Sequence, residues 1–339
     1  MTDSDYGVAV WSSAAWREVA VAWLDDQLAG AGRERTGAVE QPHVRPWATA
    51  LRAPTTGGPV WLKAAGPGTA FEVGLYELLH EVAPAQVLTP LATDVDRGWV
   101  VLDDGGTPLG ERLGGDALVD AMAAVLPQYG QLQRDLAPHA EDLLALGVAD
   151  MRAEAMPARF EEALATVGAY VARRGDPAER ERYERVAGLG DTVARWCERL
   201  AAAPGAASLD HNDLHPWNVF MTEGRARFYD WGDSVVAHPF ASMLVAIDYM
   251  QSHVPEVERG DPRMLSLRDA YLEAFTDLAP HGELVETLGL ACQVGKIART
   301  LIWDRALRAL DPGDVPDEWA DAPFENLTAL LDDSHPGSE

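Results

Sequence analysis

Apolar and polar residues alternate in short runs through much of the first hundred positions of this chain. Alternation with a period of two residues is typical of half-buried strands. It predicts about three antiparallel strands between residues 36 and 65, around a turn-forming sequence at residues 54–59. The other predicted elements of this region are a helix over residues 14–30, a helix over residues 71–82, and strands over residues 87–91 and 98–102.

Helical spacing of apolar residues dominates the sequence after a Gly-rich segment at residues 103–108. The exception lies between residues 208 and 234, where strand-like runs flank a polar loop and predict a short hairpin. The spacing predicts helices over residues 117–132, 155–172, 179–203, 240–250, 264–277 and 283–310.

This succession of elements predicts an α+β protein of two lobes. The smaller lobe, residues 1–102, holds an antiparallel sheet with one crossing helix, and residues 103–108 form a hinge. A larger, mainly helical lobe spans residues 109–325. The last residues, 326–339, are predicted to be a mobile tail.

The composition is that of a globular protein of 339 residues, 47% hydrophobic and 24% charged. A net charge of −27 argues against nucleic acid or an anionic membrane as a partner, because both require clustered cations. No apolar run approaches the length of a membrane span, and the N-terminus lacks a signal-peptide pattern. Two cysteines, Cys197 and Cys292, do not make a disulfide framework, so we expect a cytoplasmic protein.

The strongest chemical signal lies in a predicted catalytic loop at residues 208–220 and a predicted metal-binding motif at residues 228–234. The spacing between Asp213, Asn218 and Asp230 is what phosphoryl transfer from ATP requires. Asp213 is the expected catalytic base, whose larger task is to orient the acceptor hydroxyl. Asn218 and Asp230 are the expected Mg²⁺ ligands, because this ion prefers oxygen donors.

Two histidines and one lysine complete the predicted active site. His211 is expected to fix the loop through hydrogen bonds, whereas His215 either packs the loop or touches the acceptor. Lys63 is one of only two lysines among 27 basic residues, and it ends a strand-like run where an ammonium group suits the α- and β-phosphates. Glu72, on the next predicted helix, is its expected partner in preference to Glu77.

With these residues in this order, the chain resembles the aminoglycoside phosphotransferase and choline kinase-like superfamily over roughly residues 40–310. Shared landmarks include the sequences Trp-Leu-Lys, Gly-Trp-Val-Val-Leu-Asp-Asp and Asp-Trp-Gly-Asp-Ser. The resemblance implies a bilobal protein-kinase-like fold, ATP or GTP with Mg²⁺, and direct transfer of the γ-phosphate to a hydroxyl group. It also implies nucleotide contacts from a phosphate-approaching loop at Trp47 and Thr49, and from a base slot at Val101, Leu102 and Asp103.

The chain departs from the family pattern at two places near the catalytic loop. Asn212 stands where the family often has glycine. Ala241 and Ser242 follow Pro239 where an Asp-Leu pair is common. Neither departure removes a catalytic group, although the second is expected to alter how the loop is braced.

The resemblance does not name the acceptor, because one fold serves many substrates. We predict a small hydroxylated molecule, an aminoglycoside-like antibiotic or amino sugar, which would give the protein a role in antibiotic resistance. Alternative acceptors are a choline-like alcohol, a sugar or a nucleoside antibiotic. The alternative function is that of a non-catalytic nucleotide-binding regulator. We expect a monomer or a homodimer. A protein kinase is disfavoured, since no G-x-G-x-x-G sequence precedes Lys63. The candidate acceptor contacts are Asp233, Asp248, Glu273, Trp303 and Asp304.

Overall fold

A computed structural model of the protein describes residues 6–258, 260–308, 310 and 317–332. It confirms the predicted α+β architecture, with an antiparallel sheet in the N-terminal lobe and a mainly helical C-terminal lobe. The elements of the N-terminal lobe are α1 (Val8–Trp11), α2 (Ala14–Gly30), β1 (Glu40–Val44), β2 (Ala48–Ala53), β3 (Val60–Ala65), α3 (Phe71–Val82), β4 (Pro90–Asp94) and β5 (Trp99–Asp103).

Alternation of side chains along β3 places Lys63 on the face of the sheet that is turned toward the C-terminal lobe. The strands pair in the order β1-β2-β3-β5-β4, every pair antiparallel, with Lys63 opposite Val100. Val60, Leu62 and Ala64 are buried in the cluster beneath α2. Because successive strand side chains point to opposite faces, Lys63 must point to the other face, where the two lobes meet.

Helix α2 covers the outer face of the sheet. Ser13 caps the helix by accepting a hydrogen bond from the Trp16 N–H at 3.2 Å. Trp16, Leu24 and Leu28 are buried against the strands, and the Trp16 ring meets the Trp99 ring edge to face at 6.0 Å. With one face covered by α2, only the opposite face of the sheet is left to build a site.

Helices make up most of the C-terminal lobe, and its short strands carry the polar loops. In chain order the elements are α4 (Leu109–Arg112), α5 (Gly115–Leu136), α6 (Ala140–Ala145), β6 (Ala149–Asp150), α7 (Met156–Arg174), α8 (Pro177–Ala187), α9 (Gly190–Ala201), β7 (Ser208–Asp210), β8 (Val219–Thr222), β9 (Arg225–Phe228), β10 (Val235–Ala237), α10 (Met243–His253), α11 (Pro262–Leu272), α12 (His281–Arg308), α13 (Asp317–Ala320) and α14 (Ala322–Thr328). Helix α12 is buried over much of its length and packs against α7, α9, α10 and α14.

Two small sheets bring the catalytic loop and the metal-binding motif to one edge. Strand β7 forms the first three residues of the predicted catalytic loop and ends at Asp210, and β10 begins at Val235, just after the motif. These strands pair antiparallel with Val235 opposite Asp210, while β8 and β9 form the hairpin between the loop and the motif. Antiparallel pairing sets the end of one strand beside the start of the next, so both loops emerge together.

The strand predicted at residues 87–91 is shifted in the structure, where β4 starts at Pro90. Val87 instead forms a parallel bridge with Phe228 in the other lobe, and the Phe228 N–H donates to the Gln86 carbonyl at 2.8 Å. The segment before β4 therefore joins the two lobes. Local spacing of apolar residues cannot signal such a pairing.

Two helix predictions of the C-terminal lobe need correction at their boundaries. The helix predicted over residues 179–203 is two helices, because α8 ends at a cap on Gly188 before α9 begins. The helix predicted from residue 240 opens as a 3-10 turn at Pro239–Ser242 before α10 begins. Across the described residues, every helix is too short or too polar to cross a bilayer.

The predicted mobile tail begins too early in the chain. Residues 326–332 pack against α12, where the Lys296 ammonium donates to the carbonyl oxygens of Ala329 and Asp332 at 3.0 Å each. A buried ammonium group needs such partners, and helix-end carbonyls supply them. The rest of the predicted tail, residues 333–339, lies outside the described residues.

Helix α4 packs so closely on the catalytic loop that adding one methyl group at Gly110 should destabilise the protein. A Cβ at Gly110 would lie 2.1 Å from the Trp217 ring. Gly110→Ala should therefore displace Trp217 and lower the free energy of unfolding in urea by about 1–3 kcal/mol, as overpacking does. Gly114→Ala is the matched control, because no heavy atom lies within 4 Å of its new methyl group. Equal stability of the two variants would contradict this packing.

Candidate active site

Buried hydrogen bonds hold the start of the catalytic loop. The His211 Nε2 atom lies 3.0 Å from the Tyr229 carbonyl oxygen, and the His211 N–H donates to the Tyr129 hydroxyl at 3.0 Å. Burial lowers the pKa of His211 and so favours the neutral imidazole. The ring braces the loop from the inside, between β7 and the metal-binding motif.

The two departures from the family pattern have local structural explanations. Asn212 has φ 57, in the left-handed region that glycine adopts freely and asparagine tolerates. The buried carboxylate of Asp210 accepts the Asn212 N–H at 2.8 Å and the Ser242 hydroxyl at 2.6 Å. The sequence at Ala241 and Ser242 therefore still braces the loop, through a hydroxyl group rather than a second carboxylate.

Both carboxylate oxygens of Asp213 have partners at the mouth of the C-terminal lobe. Oδ1 accepts from Arg299 at 3.1 Å, and Oδ2 lies 3.3 Å from His215 Nε2 and accepts from Asn218 Nδ2 at 3.3 Å. Burial alone would raise the pKa of Asp213, but the His215 hydrogen bond and the Arg299 charge outweigh it and hold that pKa well below its usual value. The group is thus a carboxylate at neutral pH.

Asp230 stands two residues after the end of β9, in a conformation that few residues other than glycine adopt. Its φ is 64, and its N–H donates to the Tyr76 hydroxyl on α3 at 3.2 Å. Backbone strain of this kind persists only where surrounding contacts fix it, and it clusters at functional sites. Here the contact that fixes it comes from the other lobe.

Lys63 joins the two lobes through a pair of carboxylates. Its Nζ lies 2.6 Å from Glu72 Oε2 and 2.6 Å from Asp230 Oδ1, and Glu72 Oε1 accepts the Trp231 N–H at 3.0 Å. Burial alone would lower the pKa of Lys63, but the charges of Asp230 and Glu72 outweigh it and raise the pKa well above its usual value. The lysine is therefore a permanent cation facing the end of β9.

Asp230 and Asn218 carry oxygen donors of the kind that fit a Mg²⁺ ion held together with phosphates, and their loops meet where the Tyr229 N–H donates to the Asn218 carbonyl at 3.3 Å. Asn218 Nδ2 donates to the Asp213 carbonyl at 2.9 Å, which turns the amide oxygen away from Asp213. Within the described residues, no three His, Cys, Asp or Glu side chains form a metal site by themselves. Mg²⁺ commonly takes one or two protein oxygens and completes its shell with phosphate and water, so a carboxylate and an amide suffice.

An open cleft of about 750 Å³ lies beside Asp213 in the C-terminal lobe. Aromatic rings build one side of it: Tyr249 stacks on His253 at 3.8 Å, and its ring lies 4.8 Å from the His215 ring and 5.4 Å from the Trp217 ring. The cleft thus offers flat apolar faces next to the predicted base.

Comparison with known proteins agrees with this geometry. A profile of the phosphotransferase enzyme family matches residues 55–263, more than half of the chain. The chain belongs to the phosphotransferase enzyme family. It is therefore a small-molecule kinase that acts on a hydroxyl group. None of the curated proteins matches the sequence.

Solved structures share the fold of this phosphotransferase at low sequence identity. The macrolide 2'-phosphotransferase of Brachybacterium faecium is 19% identical with a TM-score of 0.55, covering 91% of this chain and 98% of its own. The ethanolamine kinase of Plasmodium vivax is 11% identical with a TM-score of 0.63, covering 96% and 91%. A spectinomycin phosphotransferase in complex with ADP and spectinomycin is 13% identical with a TM-score of 0.52, covering 91% and 98%.

Only part of the predicted slot for the nucleotide base lies on the face of β5 that is turned toward the C-terminal lobe. Leu102 belongs to the cluster on that face, whereas the Val101 side chain packs beneath α2 on the opposite face. Val101 is thus limited to contacts through its backbone, because neighbouring strand positions alternate. The Asp103 carboxylate accepts from Arg33 at 2.6 Å, which ties the hinge to the segment after α2.

The predicted phosphate loop of the phosphotransferase has its side chains engaged within the protein. Thr49 is 2% exposed, and its hydroxyl donates to the His43 carbonyl at 2.7 Å. The Trp47 ring packs on the Trp319 ring at 5.6 Å, and Trp319 in turn contacts Trp303 at 6.4 Å between ring centres. A nucleotide would thus meet the backbone of this turn rather than the Thr49 hydroxyl.

The five predicted acceptor contacts of the phosphotransferase do not lie together. Asp248 lines the cleft beside Asp213, and Asp233 lies behind it, close to Arg299. Asp304 pairs with Arg308 at 2.6 Å and lines a separate pocket of about 280 Å³. Trp303 packs on Arg299 and Trp319, and Glu273 is exposed after α11; neither lines the cleft.

The cleft also contains residues that the sequence prediction missed. Arg299, Tyr249 and Lys296 all line it, and none was among the predicted site residues. The rarity of lysine was the available signal for Lys296, since an arginine-rich chain that keeps a lysine invites a specific reason. Arg299 and Tyr249 gave no signal, because they lie within helical segments of ordinary composition.

Loss of the Lys63 ammonium should destabilise the phosphotransferase as well as inactivate it. Lys63→Met leaves the buried Glu72 carboxylate without its counter-charge, and such a loss costs about 3–5 kcal/mol. We expect urea unfolding to show a fall of this size. The double variant Lys63→Met/Glu72→Gln should recover much of the stability but no activity, because its second substitution replaces the buried carboxylate with a neutral amide. A single variant as stable as the parent would contradict the proposed charge balance.

Proposed function

We propose that the enzyme transfers the γ-phosphate of ATP to a hydroxyl group of a small amino-bearing molecule, with Mg²⁺ as the metal. The observation that carries this proposal is the bridge in which Lys63 Nζ lies 2.6 Å from both Glu72 Oε2 and Asp230 Oδ1. A lysine held by a helix carboxylate next to a metal-binding aspartate is the arrangement that kinases use for a nucleoside triphosphate. GTP is the alternative donor to test.

Each group has a task that follows from its charge. Lys63 exchanges Asp230 for the α- and β-phosphate oxygens, while Glu72 keeps the ammonium oriented. Asn218 and Asp230 would hold Mg²⁺, which when bound neutralises phosphate charge. These groups stabilise charge and position reactants, which is most of what phosphoryl transfer demands of a protein.

Asp213 serves the acceptor side of the reaction. Its carboxylate accepts a hydrogen bond from the acceptor hydroxyl and aims that oxygen at the γ-phosphorus. As the new oxygen–phosphorus bond forms, the bond from phosphorus to the bridging oxygen breaks, ADP leaves, and the hydroxyl proton passes to Asp213. His215 and Arg299 lower the pKa of Asp213 more than burial raises it. A carboxylate of low pKa suits an orienting group better than a strong base.

The chemistry of the cleft favours an acceptor with ammonium groups. Asp248 and Glu258 line it, whereas its cations Arg299 and Lys296 are already engaged, Arg299 with Asp213 and Lys296 with the Ala329 and Asp332 carbonyls. The aromatic face of Tyr249, which lines the cleft, suits a cation or the apolar face of a sugar ring. An aminoglycoside-like antibiotic or amino sugar combines these features, and its size suits a cleft of about 750 Å³.

A small amino alcohol is the second candidate acceptor. The stacked rings of Tyr249 and His253, 3.8 Å apart, offer an aromatic surface on which a compact ammonium group could rest. The similar proteins are named for a macrolide, spectinomycin and ethanolamine, so both acceptor sizes occur with this fold. The volume of the cleft favours the larger class.

A polypeptide acceptor fits poorly. The 3-10 turn at Pro239–Ser242 begins within ten residues of Asp230, with β10 between them. This spacing leaves no room for the long activation segment and docking groove that protein kinases use. Small molecules therefore remain the acceptors to test.

Replacement of Asp213 tests the proposed chemistry. Asp213→Asn should lower kcat by about 10²-fold or more, because the orienting carboxylate is lost, while ADP binding is kept. The assay is acceptor-dependent ADP release over a panel of aminoglycosides, amino sugars, nucleoside antibiotics and amino alcohols, with ATP and GTP as donors. Asp191→Asn, the same change at an exposed position on α9, is the control. Full activity of Asp213→Asn would refute the assignment.

Replacement of Tyr249 tests the proposed acceptor wall. Tyr249→Ala should raise the KM of the acceptor about tenfold. The contact of one aromatic ring with a sugar or with a flat, base-like ring is worth roughly 1–2 kcal/mol. The KM of ATP should not change, since the ring lies on the acceptor side. Tyr249→Phe keeps the ring and is expected to behave like the parent. An unchanged acceptor KM in Tyr249→Ala would place the acceptor elsewhere.

A further inference from the structure

Two arginines of α12 meet one aspartate of the metal-binding motif. Asp233 Oδ2 lies 3.8 Å from Arg299 NH1, and Asp233 Oδ1 lies 3.2 Å from Arg305 NH2. The Asp233 side chain is about one-third exposed, and both arginine side chains are less exposed than it is. Both arginines come from a helix far along the chain, so these contacts form only when the tertiary structure forms.

Arg299 reaches from Asp233 to the catalytic loop. Its NH1 donates to the Asn212 carbonyl at 2.6 Å, and its NH2 donates to Asp213 Oδ1 at 3.1 Å. The two donors of one planar guanidinium thus hold a backbone carbonyl and the adjacent carboxylate together. A lysine could make only one of these contacts well.

Arg305 reaches from Asp233 to the loop that carries Asp230. Its NH2 donates to the Gly232 carbonyl at 2.7 Å, and its guanidinium lies over the Phe71 ring of α3 at 5.6 Å. The side chain also passes Gly68 so closely that a Cβ there would lie 3.3 Å from it. Arg305 is therefore packed between the metal-binding motif and the N-terminal lobe.

We propose that Arg299 and Arg305 are positioning residues that act through Asp233, forming one ion chain from the Asp213 carboxylate to the loop of Asp230. The proposal rests on the proposed function, because it says that the ion chain holds the acceptor-orienting Asp213 and the metal-binding Asp230 at a fixed separation. Neither arginine is assigned a contact with the reacting atoms.

Charge and strain both explain why such a chain is needed. The carboxylates of Asp213, Asp230 and Asp233 lie in two neighbouring loops, and Arg299 contacts both Asp213 and Asp233. Arg299, Arg305 and the lysine of β3 supply one cation for each carboxylate. Both loops also carry a residue with positive φ at their start, and strained loops keep one geometry only when several contacts fix them.

The test compares four variants of the full-length protein: Arg299→Gln, Arg305→Gln, Asp233→Asn and the control Arg308→Gln. Arg308 lies on the same helix and pairs with Asp304, outside the cleft beside Asp213. Two quantities are measured for each: kcat and KM in the acceptor assay, and the Mg²⁺ concentration that half-saturates ADP binding without acceptor. Thermal unfolding is recorded to confirm that each variant is folded at the assay temperature.

Arg299→Gln should lower kcat by roughly 10²-fold with little change in Mg²⁺-dependent ADP binding, because misplacement of an orienting group costs about that much. Arg305→Gln should raise the half-saturating Mg²⁺ concentration several-fold. Asp233→Asn should produce both effects, and Arg308→Gln neither. Arg299→Lys should restore only part of the lost kcat, since it cannot hold both loop groups.

The effect of combining two substitutions on kcat tests whether the ion pairs act as one connected chain. In Arg299→Gln/Asp233→Asn, kcat should fall no further than in the worse single variant, because residues that act through one another are not additive. Multiplied effects would overturn the proposal, as would an Asp233→Asn variant that matches Arg308→Gln in both measurements. If the parent protein binds no ADP with Mg²⁺ and releases none with any acceptor, the proposed function fails first and the inference falls with it.

Discussion

The ammonium group of Lys63 is the point at which the two lobes meet electrostatically. Glu72 is 1% exposed, and Asp230 stands across the lobe boundary, so without a cation the buried Glu72 carboxylate would be uncompensated and would face the half-exposed Asp230 carboxylate. Residues separated by 167 positions must therefore come together before any of these charges is compensated. The alternation of β3 aims the lysine, the first turn of α3 supplies its partner, and the end of β9 supplies the third group. A triphosphate entering this place finds a cation that is already oriented.

Helix α12 has the corresponding role on the acceptor side. From one rigid element it supplies Lys296 to the segment after α14, Arg299 to the catalytic loop and Arg305 to the metal-binding motif. Because the helix is buried over much of its length, these side chains start from fixed positions. The loops of Asp213 and Asp230 bury Leu214 and Trp231 in the core, and hydrogen bonds from Arg299 and Arg305 tie both loops to the buried helix. The geometry of the site thus depends on a helix outside its motifs.

The motifs were predictable from sequence, whereas their supports were not. Spacing predicted Asp213, because phosphoryl transfer restricts residue type and order within short segments, and the rarity of lysine together with a strand-end position predicted Lys63. Period-two alternation was enough to place β3 and β5. The same alternation, applied one residue at a time, would also have separated Leu102 from Val101. Arg299 was beyond reach: helical periodicity reports which face of α12 is apolar, but not which polar residue meets a loop 86 positions away. The start of β4 was missed for a related reason, since the preceding segment pairs with the other lobe.

In the proposed function, the residues that would bind the acceptor are mostly distinct from those that would carry the chemistry. Beyond the base and its neighbouring histidine, the cleft is lined by α10, the segment after it, α12 and residues 326–332. Lys296 fixes the last of these by binding the Ala329 and Asp332 carbonyls, so a buried lysine outside the catalytic motifs shapes one wall of the proposed acceptor cleft. Substitutions in α10 or in residues 326–332 can therefore change what the cleft accepts while the Lys63 bridge and the catalytic loop stay intact. This separation explains physically why the motifs identify a phosphotransferase so clearly and its acceptor so poorly.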